Sequence, residues 1–465
     1  MSLTGILSIA RTAMNTAQTA VQVASHNISN AQTEGYSRQT AVIEATPPLR
    51  YPYGSLGTGA QVATIQRSRD ALLDQTYRTD AGAAAGADSS RDTLSSIEGV
   101  FGEPSDTGLS NSIDAFWSSW SDLSSDPTSM AARGVVRERG AQVAGQLNDF
   151  ARRLDTLAQT TNEHIGASID QINQLTSSIA SLNPQILADE AGGASANDLR
   201  DSRDLAVDKL AKLTGGTVVN HDDGSVSVYV GGRAIVDGPV ARALTTSGGQ
   251  PPKVVFKDSG AQLSQIGGSL GAYVDAVTTT IPNVSKQLDA LADGLVTSVN
   301  TIHNGATLAS GAAAGNFFET SAAVPPGNTA RGIRLASTLT GAADVAAAGA
   351  GKDVGNNDVA LALAQLRDTT RTFADPDGSS TTASIGDYCR HVVAGVATAS
   401  QSAADNATVH DTLASHSDTL RQSVSSVSTD DELVSIINHQ HSYSAAAKLV
   451  STVDQMMQTI LDMKQ

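Results

Sequence analysis

The chain has 465 residues, of which 40% are hydrophobic and only 4% aromatic, and this length suits about two to four domains. Its 47 acidic and 30 basic residues give a formal charge of −17, which argues against a general nucleic-acid binder and against docking on anionic lipid through charge. A single cysteine excludes an intrachain disulfide framework and a thiol cluster for zinc.

The N-terminal end is predicted to form an amphipathic helix, because apolar residues recur there at every third or fourth position. The first basic residue is Arg11, so we do not expect a cleaved secretory signal, and no apolar run approaches the ~18 residues that a membrane-spanning helix needs. The predicted stripe contains Leu3, Ile6, Leu7, Ala10, Ala13, Met14, Ala17, Ala20, Val21, Ala24 and Ile28.

A longer helical stripe covers residues 136–182, and Asn183-Pro184 is predicted to stop it. At 1.5 Å per residue this helix would be a rod of about 70 Å. The apolar period then changes to strict alternation in residues 217–256, where Asp222-Asp223-Gly224 supplies hairpin-turn chemistry. We therefore predict a small β domain inserted between helices.

Residues 270–303 return to helical spacing, with Pro282 predicted to kink the helix or to mark its beginning. Residues 306–384 are rich in Ala, Gly and Thr, and are predicted to form a second small lobe or a long loop. Only residues 333–339, as a strand, and 359–366, as a helix, look regular within them.

The last two predicted helices cover residues 385–424 and the C-terminal end of the chain. Thr429 and Glu432 fit a capping box at the start of the final helix. Long stripes with many Ala, Ser and Thr residues favour closely packed, elongated bundles. The final stripe contains Leu433, Ile436, Ile437, Gln440, Tyr443, Ala447, Val450, Val453, Met457, Ile460 and Leu461.

The predicted fold class is mainly α (α+β), an elongated rod of long helices whose N- and C-terminal helices pair. The predicted domains are a terminal helical domain (1–60 with 427–465), a helical rod (61–213 with 262–305 and 385–426), a small β domain (214–261) and the second lobe or loop (306–384).

Gly267-Gly268-Ser269-Leu270-Gly271 matches the nucleophile elbow of serine hydrolases. An elbow needs a strand ahead of it, and residues 261–266 make a poor buried strand. Glycines that allow tight backbone packing are the favoured interpretation, so a serine hydrolase using Ser269 stays a remote alternative.

Other near-matches to functional motifs have structural interpretations. Gly351-Lys352-Asp353 places a carboxylate where a P-loop needs Ser or Thr, and the glycine of Asp375-Pro376-Asp377-Gly378 comes too early for a calcium loop. His439 and His441 point to different faces of a helix, and Cys389 lies on an apolar stripe. We predict no catalytic residue, cofactor or metal site.

Residues 26–39 carry the most specific signal in the chain, reading His-Asn-Ile-Ser-Asn-Ala-Gln-Thr-Glu-Gly-Tyr-Ser-Arg-Gln. This string resembles the N-terminal signature of bacterial flagellar rod, hook and hook-associated proteins, roughly N-[IL]-[AS]-N-x-x-T-x-G-[YF]-x-[RK]. In physical terms, Asn27 and Asn30 can end the helix, and Gly35 allows the turn that follows.

Three further stretches resemble the first hook-associated protein family, FlgK, more than other axial families. The alternative is another axial family, of rod or hook proteins, that shares the N-terminal signature. The stretches are Ile97-Glu98, Phe101-Gly102-Glu103-Pro104, Gly108-Leu109, Phe116-Trp117, Trp120, Leu123 and Asp126-Pro127; then Asn197-Asp198-Leu199-Arg200-Asp201-Ser202-Arg203-Asp204; and then Asp431-Glu432, Gln440, Tyr443-Ser444-Ala445 and Ala447.

The resemblance implies a structural subunit of the hook–filament junction, exported without a cleaved signal peptide to the extracellular flagellum. The partners it implies are further copies of the chain, the flagellar hook protein, hook-associated protein 3 (FlgL), and the export chaperone FlgN on the C-terminal helix. It implies no binding of nucleic acid and no membrane insertion.

Two terminal helices with narrow apolar stripes cannot each bury their surface alone, so we expect them to order against each other and against neighbouring subunits. The predicted assembly interface consists of Leu3, Ile6, Leu7, Asn27, Ile28, Asn30, Gly35, Tyr36, Leu433, Ile436, Ile437, Gln440, Tyr443, Val450, Met457 and Leu461.

Overall fold

Long α-helices make up most of this fold. The computed structural model describes residues 3–52, 54–102, 108–249 and 251–463, so Glu103 and Pro104 of the family-like segment lie outside the described residues. In chain order the helices are α1 (Leu3–Ser29), α2 (Ala71–Phe101), α3 (Leu109–Ser125), α4 (Met130–Glu190), α5 (Asn197–Thr214), α6 (Gly268–Asp275), α7 (Ile281–His303), α8 (Thr329–Gly332), α9 (Asp358–Gln365), α10 (Ile385–Ser425) and α11 (Thr429–Asp462).

The strands are short and pair antiparallel, and β5 to β8 form a four-stranded sheet in sequence order. They are β1 (Gln39–Ala45), β2 (Leu49–Tyr51), β3 (Gly54–Leu56), β4 (Ala60–Arg67), β5 (Thr217–Asn220), β6 (Val226–Val230), β7 (Arg233–Asp237), β8 (Val240–Ala241), β9 (Leu244–Thr246), β10 (Val254–Phe256), β11 (Ala306–Thr307), β12 (Phe318–Thr320), β13 (Ile333–Leu335), β14 (Ala348–Gly349), β15 (Arg371–Ala374) and β16 (Ser380–Ala383).

A first hydrophobic core joins α2, α3, α4, α7, α9 and α10. Its centre is aromatic, because Phe116, Trp117 and Trp120 of α3 are fully buried. The rings of Phe317 and Phe318 lie 5.7 and 5.8 Å from that of Phe116, centroid to centroid. Both tryptophans of the chain therefore lie inside this core.

A second core lies between the C-terminal half of α4, α5, α6 and the sheet of the β domain, as the alternating pattern of residues 217–256 predicts. Ile172, Leu210 and Ile235 are completely buried there. The alternation is not a simple inside–outside pattern, since Ser227 is also buried and hydrogen-bonds to His221 (2.8 Å).

The prediction that Asn183-Pro184 stops the long helix is wrong. The helix α4 has 61 residues and continues through Pro184 to Glu190. Proline removes one backbone hydrogen bond, at a cost of about 3 kcal/mol, but Ile179 and Ile186 on either side are fully buried. The Asn183 side chain also bonds to both backbone groups of Val226. These tertiary contacts hold the helix across the proline.

The predicted helix of residues 270–303 is divided in two. A π-helical turn (Ala276–Thr280) separates α6 from α7, and Pro282 lies at the start of α7. Pro282 was predicted either to kink the helix or to mark its beginning, and the structure supports the second of these. The helix predicted over residues 385–424 is confirmed as α10.

Residues 306–384, predicted to be a second small lobe or a long loop, pack onto the helices. They contain β11 to β16 and two short helices, and include the predicted strand and helix as β13 and α9. Phe317, Phe318, Val345 and Leu363 belong to the first core, together with side chains of α3 and α4. This segment therefore shares the core of the helices.

The terminal pair, α1 and α11, forms the other part of the molecule, and α2 to α10 with β5 to β16 form what we call the rod. The pair of strands β1 and β4 lies against α1 and was not predicted from the sequence. Because β4 begins at Ala60, the predicted boundary between residues 60 and 61 falls within this strand pair. Among the described residues, none of the helices is long and apolar enough to cross a membrane.

Candidate assembly interface

The two terminal helices pair in antiparallel fashion. Near the C-terminal end of α1, Asn27 contacts Glu432 in the first turn of α11. Further along the pair, one groove is lined by Ala17 and Val21 of α1 and by Tyr443 of α11. The N-terminal end of α1 and the C-terminal end of α11 therefore lie at the end of the pair that is furthest from the rod.

The contact surface between α1 and α11 is made of small side chains. The buried side of α1 consists mostly of alanines, whereas α11 buries only Glu432, Ala446 and Val453 among its described residues. The long apolar side chains of α11 therefore have little contact with α1. The buried residues of α1 are Ala10, Thr16, Ala17, Ala20, Val23, Ala24 and Asn27.

The pairing of α1 with α11 leaves some of the predicted interface residues half-buried and others exposed. Leu3, Ile6, Ile28, Ile436 and Val450 are half-buried. The other predicted apolar positions are exposed, as is Gln440. The exposed ones are Leu7, Leu433, Ile437, Tyr443, Met457 and Leu461.

Three exposed apolar residues of α11, Val434, Leu449 and Met456, were missed from the sequence, whereas Ile460 was included in the predicted stripe. Val434, Leu449, Met456 and Ile460 are exposed by 58, 48, 49 and 55%. Leu449, Met456 and Ile460 are seven and four positions apart, so they share one side of the helix. The buried Ala446 and Val453 lie three or four positions from Leu449 and therefore adjoin that side. The sequence signal was present, because an apolar stripe that is wider than the contact with one helix needs more than one partner.

Asn27 was predicted to lie at the assembly interface, but its side chain is completely buried within the chain. Its Oδ1 accepts hydrogen bonds from the backbone N–H of Gln39 (2.9 Å) and the hydroxyl of Tyr36 (2.8 Å). Its amide group donates to Gln39 O (2.8 Å) and Glu432 Oε2 (3.1 Å). Asn27 therefore fixes the turn after α1, and its side chain is not exposed on the surface of this chain.

The predicted capping box of Thr429 and Glu432 is also wrong. Ser428 is the residue that caps α11, because its hydroxyl accepts from the backbone N–H of Asp431. Glu432 instead turns inward and is only 3% exposed. Its second carboxylate oxygen forms an ion pair with Arg38 (2.7 Å).

The remaining signature residues shape the turn that receives Glu432. Gly35 has φ +82°, and a Cβ at this position would lie 3.0 Å from that of Leu205, so the site favours glycine. Asn30 donates to His26 O (3.1 Å) at the end of α1. Burial, together with the carboxylates of Asp198, Asp201 and Glu432, raises the pKa of Tyr36, so its hydroxyl stays protonated.

An acidic face of α5 holds the signature segment on the rod. Asp201 accepts from both the backbone N–H (2.9 Å) and the hydroxyl (2.7 Å) of Ser37. Arg67 at the end of β4 binds Asp201 (2.7 Å) and Asp204 (2.9 Å). Gln39 donates to Asp198 (2.9 Å). The family-like run of residues 197–204 is therefore an anchoring surface inside the chain.

The same face of α5 extends to α2 and α10 through Asp208, which pairs with Arg78 and Arg421 at 2.6 Å each. Burial would raise the pKa of Asp204, but four nearby guanidinium groups lower it, so its carboxylate is charged. Burial also lowers the pKa of Arg203 to about 10. We call this group of α5 carboxylates and their arginine partners the anchoring network.

The glycines around Ser269 have the structural role that the sequence favours. A Cβ on Gly268 would lie 2.4 Å from the carbonyl oxygen of Lys212, and one on Gly271 would lie 2.1 Å from that of Ile266. Within the described residues, Ser269 has no hydrogen bond to a histidine or a carboxylate. Cys389 is buried on the apolar side of α10, as predicted.

Comparisons with known proteins identify flagellar relatives. A family model described as the flagellar hook-associated protein FlgK helical domain matches residues 94–318. Models of the flagellar basal body rod FlgEFG protein C-terminal region and of the flagella basal body rod protein match residues 421–463 and 7–36.

Whole proteins with the same kind of name are similar along most of the chain. Flagellar hook-associated protein 1 of Bacillus subtilis (strain 168) is 28% identical over 509 residues, covering 98% of this chain and 97% of that protein. The protein of that name from Escherichia coli (strain K12) is 28% identical and covers 83% of this chain and 72% of its own length.

A solved structure shows the same fold. The flagellar hook junction protein FlgK from Burkholderia pseudomallei aligns with a TM-score of 0.65 and 17% identity. The alignment covers 76% of this chain and 100% of that one.

Proposed function

This chain belongs to the flagellar hook-associated protein 1 family, and from that premise we propose that it polymerises on the distal end of the hook through its terminal helices. It is a structural protein of the flagellar hook–filament junction. In this role it adapts the hook to the next junction protein and so to the filament.

The observation that carries this proposal is the apolar surface that α11 leaves uncovered. Leu449, Met456 and Ile460 line one side of the C-terminal half of α11, and Leu433 and Ile437 expose further apolar surface on another side near the start of the helix. Exposed apolar side chains aligned in this way mark a surface that binds another protein. Neighbouring copies supply the missing cover, so the terminal pair becomes fully ordered only on assembly.

The implied partners follow from the same surface. Further copies of the chain, the hook protein and hook-associated protein 3 (FlgL) contact the terminal pair in the flagellum. Before assembly, the export chaperone FlgN covers the α11 stripe, because an uncovered stripe promotes premature association. The chain reaches the outside of the cell by flagellar export.

The test places two carboxylates on this exposed apolar side of α11, as Met456→Asp with Ile460→Asp. Burying an unpaired carboxylate at a subunit contact costs about 3–5 kcal/mol. Because both positions are exposed in the monomer, the two substitutions should cost the isolated protein little stability. The purified variant should melt near the parent temperature, whereas cells that carry it should secrete it, build bare hooks and shed flagellin.

The matched control is Ser451→Asp with Gln455→Asp, which adds the same charge at the same spacing to the exposed polar side of α11. Cells with the control should carry filaments, as counted by electron microscopy. Filaments in equal number on both strains would show that this face of α11 is not the polymerisation surface.

A further inference from the structure

One charged side chain of α11 enters a polar site that the N-terminal segment builds. Glu432 is the only charged residue among the three that α11 buries in the described part of the chain. The other two, Ala446 and Val453, make apolar contacts that do not fix the position of α11 along α1. Glu432 is therefore the buried residue of α11 whose contacts, as hydrogen bonds, depend on direction.

The receiving site is organised by the N-terminal segment itself. Asn27 uses its carbonyl oxygen to accept from Tyr36 and from Gln39, and one N–H to donate to Gln39 O. Its amide orientation is thereby set, and the remaining N–H points to Glu432 at 3.1 Å. This donor is in place because of contacts that do not involve α11.

The second donor is the side chain of Arg38, whose backbone is fixed by two hydrogen bonds. The backbone N–H of Arg38 donates to Ser425 O (2.9 Å), and its carbonyl oxygen accepts from the N–H of Ser68 (2.8 Å). Its side chain then reaches Glu432 with Nε at 2.7 Å. The amide of Asn27 and the guanidinium of Arg38 thus each donate to a different oxygen of the Glu432 carboxylate. Only a negatively charged acceptor satisfies both donors fully.

We propose that Glu432 is the positioning residue that couples docking of the C-terminal helix to the N-terminal signature segment. When Glu432 binds Asn27 and Arg38, it sets the register of α11 along α1 and with it the orientation of the side that carries Leu449, Met456 and Ile460. This inference deepens the proposed function, because a correctly presented face is what the next subunit recognises.

The experiment compares Glu432→Ala with Asp431→Ala in the full-length monomer. Asp431 is exposed in the same helical turn and carries the same charge, so the control separates the binding of Asn27 and Arg38 from a general effect of an acid at a helix start. Hydrogen–deuterium exchange is measured over α1, over α11 and over residues 147–154 of the rod.

Glu432→Ala should speed exchange at Ala20 to Asn27 of α1 by about tenfold, corresponding to the loss of one charged contact, about 1.4 kcal/mol. Asp431→Ala should not change the exchange rate in α1, and neither variant should change it in residues 147–154 of the rod. A residue that stabilised α11 alone would leave α1 unaffected. Faster exchange confined to α11 would therefore overturn the inference.

A double-mutant cycle provides the second readout. If Arg38 and Glu432 act together, Arg38→Ala should add little to exchange in a chain that already carries Glu432→Ala. Fully additive effects would contradict the coupling. Because exchange is measured in the monomer, its result is independent of whether the Met456→Asp, Ile460→Asp variant assembles, so the two proposals fail separately.

Discussion

The rod and the terminal pair are built from helices with similar periodicity, but they bury different side chains. In the rod, Phe116, Trp117 and Trp120 are fully buried in an aromatic core. The terminal pair buries mostly alanines, while Ile460 and Leu461 remain 55 and 65% exposed.

This difference separates two sources of stability. The rod gains its stability from apolar area that it buries within one chain. A pair of helices with small side chains between them gains little in this way, so its order depends on what covers its outer face. We therefore expect substitutions in the rod to affect the monomer, and substitutions on α11 to affect assembly.

The largest expected effect is on the aromatic core of the rod. Phe116→Ala should lower the free energy of unfolding by about 3–5 kcal/mol, because it leaves a cavity among four aromatic rings. Chemical denaturation followed by circular dichroism measures this loss. A loss below 1 kcal/mol would remove the contrast between the rod and the terminal pair.

The anchoring network should give the next largest effect. Asp208→Ala leaves two guanidinium groups, Arg78 and Arg421, without their shared carboxylate, and should cost about 3 kcal/mol. The control is Asp418→Ala, since Asp418 also pairs with Arg421 but is more exposed, and its loss should stay below about 1 kcal/mol. Equal losses in the two variants would show that burial of the network contributes nothing.

Much of the rod could be predicted from sequence because large apolar residues at helical spacing define α4, α7 and α10. The same reasoning missed β1, whose residues are largely exposed and carry no clear alternation. Reasoning from the sequence also ended α4 at Pro184, because the effect of proline on its own helix does not reveal the strand contacts that hold Asn183.

The assembly surface was predictable in part. Periodicity identified the apolar stripe of α11 but could not tell which side meets α1, so it grouped Val450 with Leu433 although one is half-buried and the other exposed. The role of Glu432 was hidden for another reason. Its contact with Asn27 joins residues 405 positions apart, and spacing within one helix carries no signal for it.

A smaller effect in the rod should depend on pH. Burial raises the pKa of Asp289 from 3.8 to about 6. The stability linked to its neutral form is present below about pH 4 and is lost as the pH rises through 6. Asp289→Asn should therefore stabilise the protein by about 1 kcal/mol at pH 7.5, after allowance for partial exposure, and by almost nothing at pH 4.

Thermal unfolding of the parent and of Asp289→Asn at both pH values checks this prediction. Asp275→Asn, at an exposed position near the same helix, is the matched control and should show no gain at either pH. An equal gain at pH 4 and pH 7.5 would mean that charge on Asp289 is not the cause.

The smallest effect on the stability of the monomer is expected from the exposed apolar side of α11 that carries Leu449, Met456 and Ile460. Leu449→Ala should change the free energy of unfolding by less than about 0.5 kcal/mol, because an exposed side chain loses little when it is shortened. The same denaturation experiment as for Phe116→Ala measures it. A loss of 2 kcal/mol or more would show that the monomer already covers this face.

We expect the terminal pair to be ordered by its neighbours and the rod to be ordered by itself. Hydrogen exchange of the full-length monomer, compared with the assembled protein, tests it most directly. In the monomer, amides of residues 3–20 and 446–461 should exchange about 100-fold faster than those of residues 154–182, and assembly should remove most of that difference. If the terminal amides of the monomer are as protected as those of residues 154–182, the terminal pair is stable alone and does not depend on its neighbours for order.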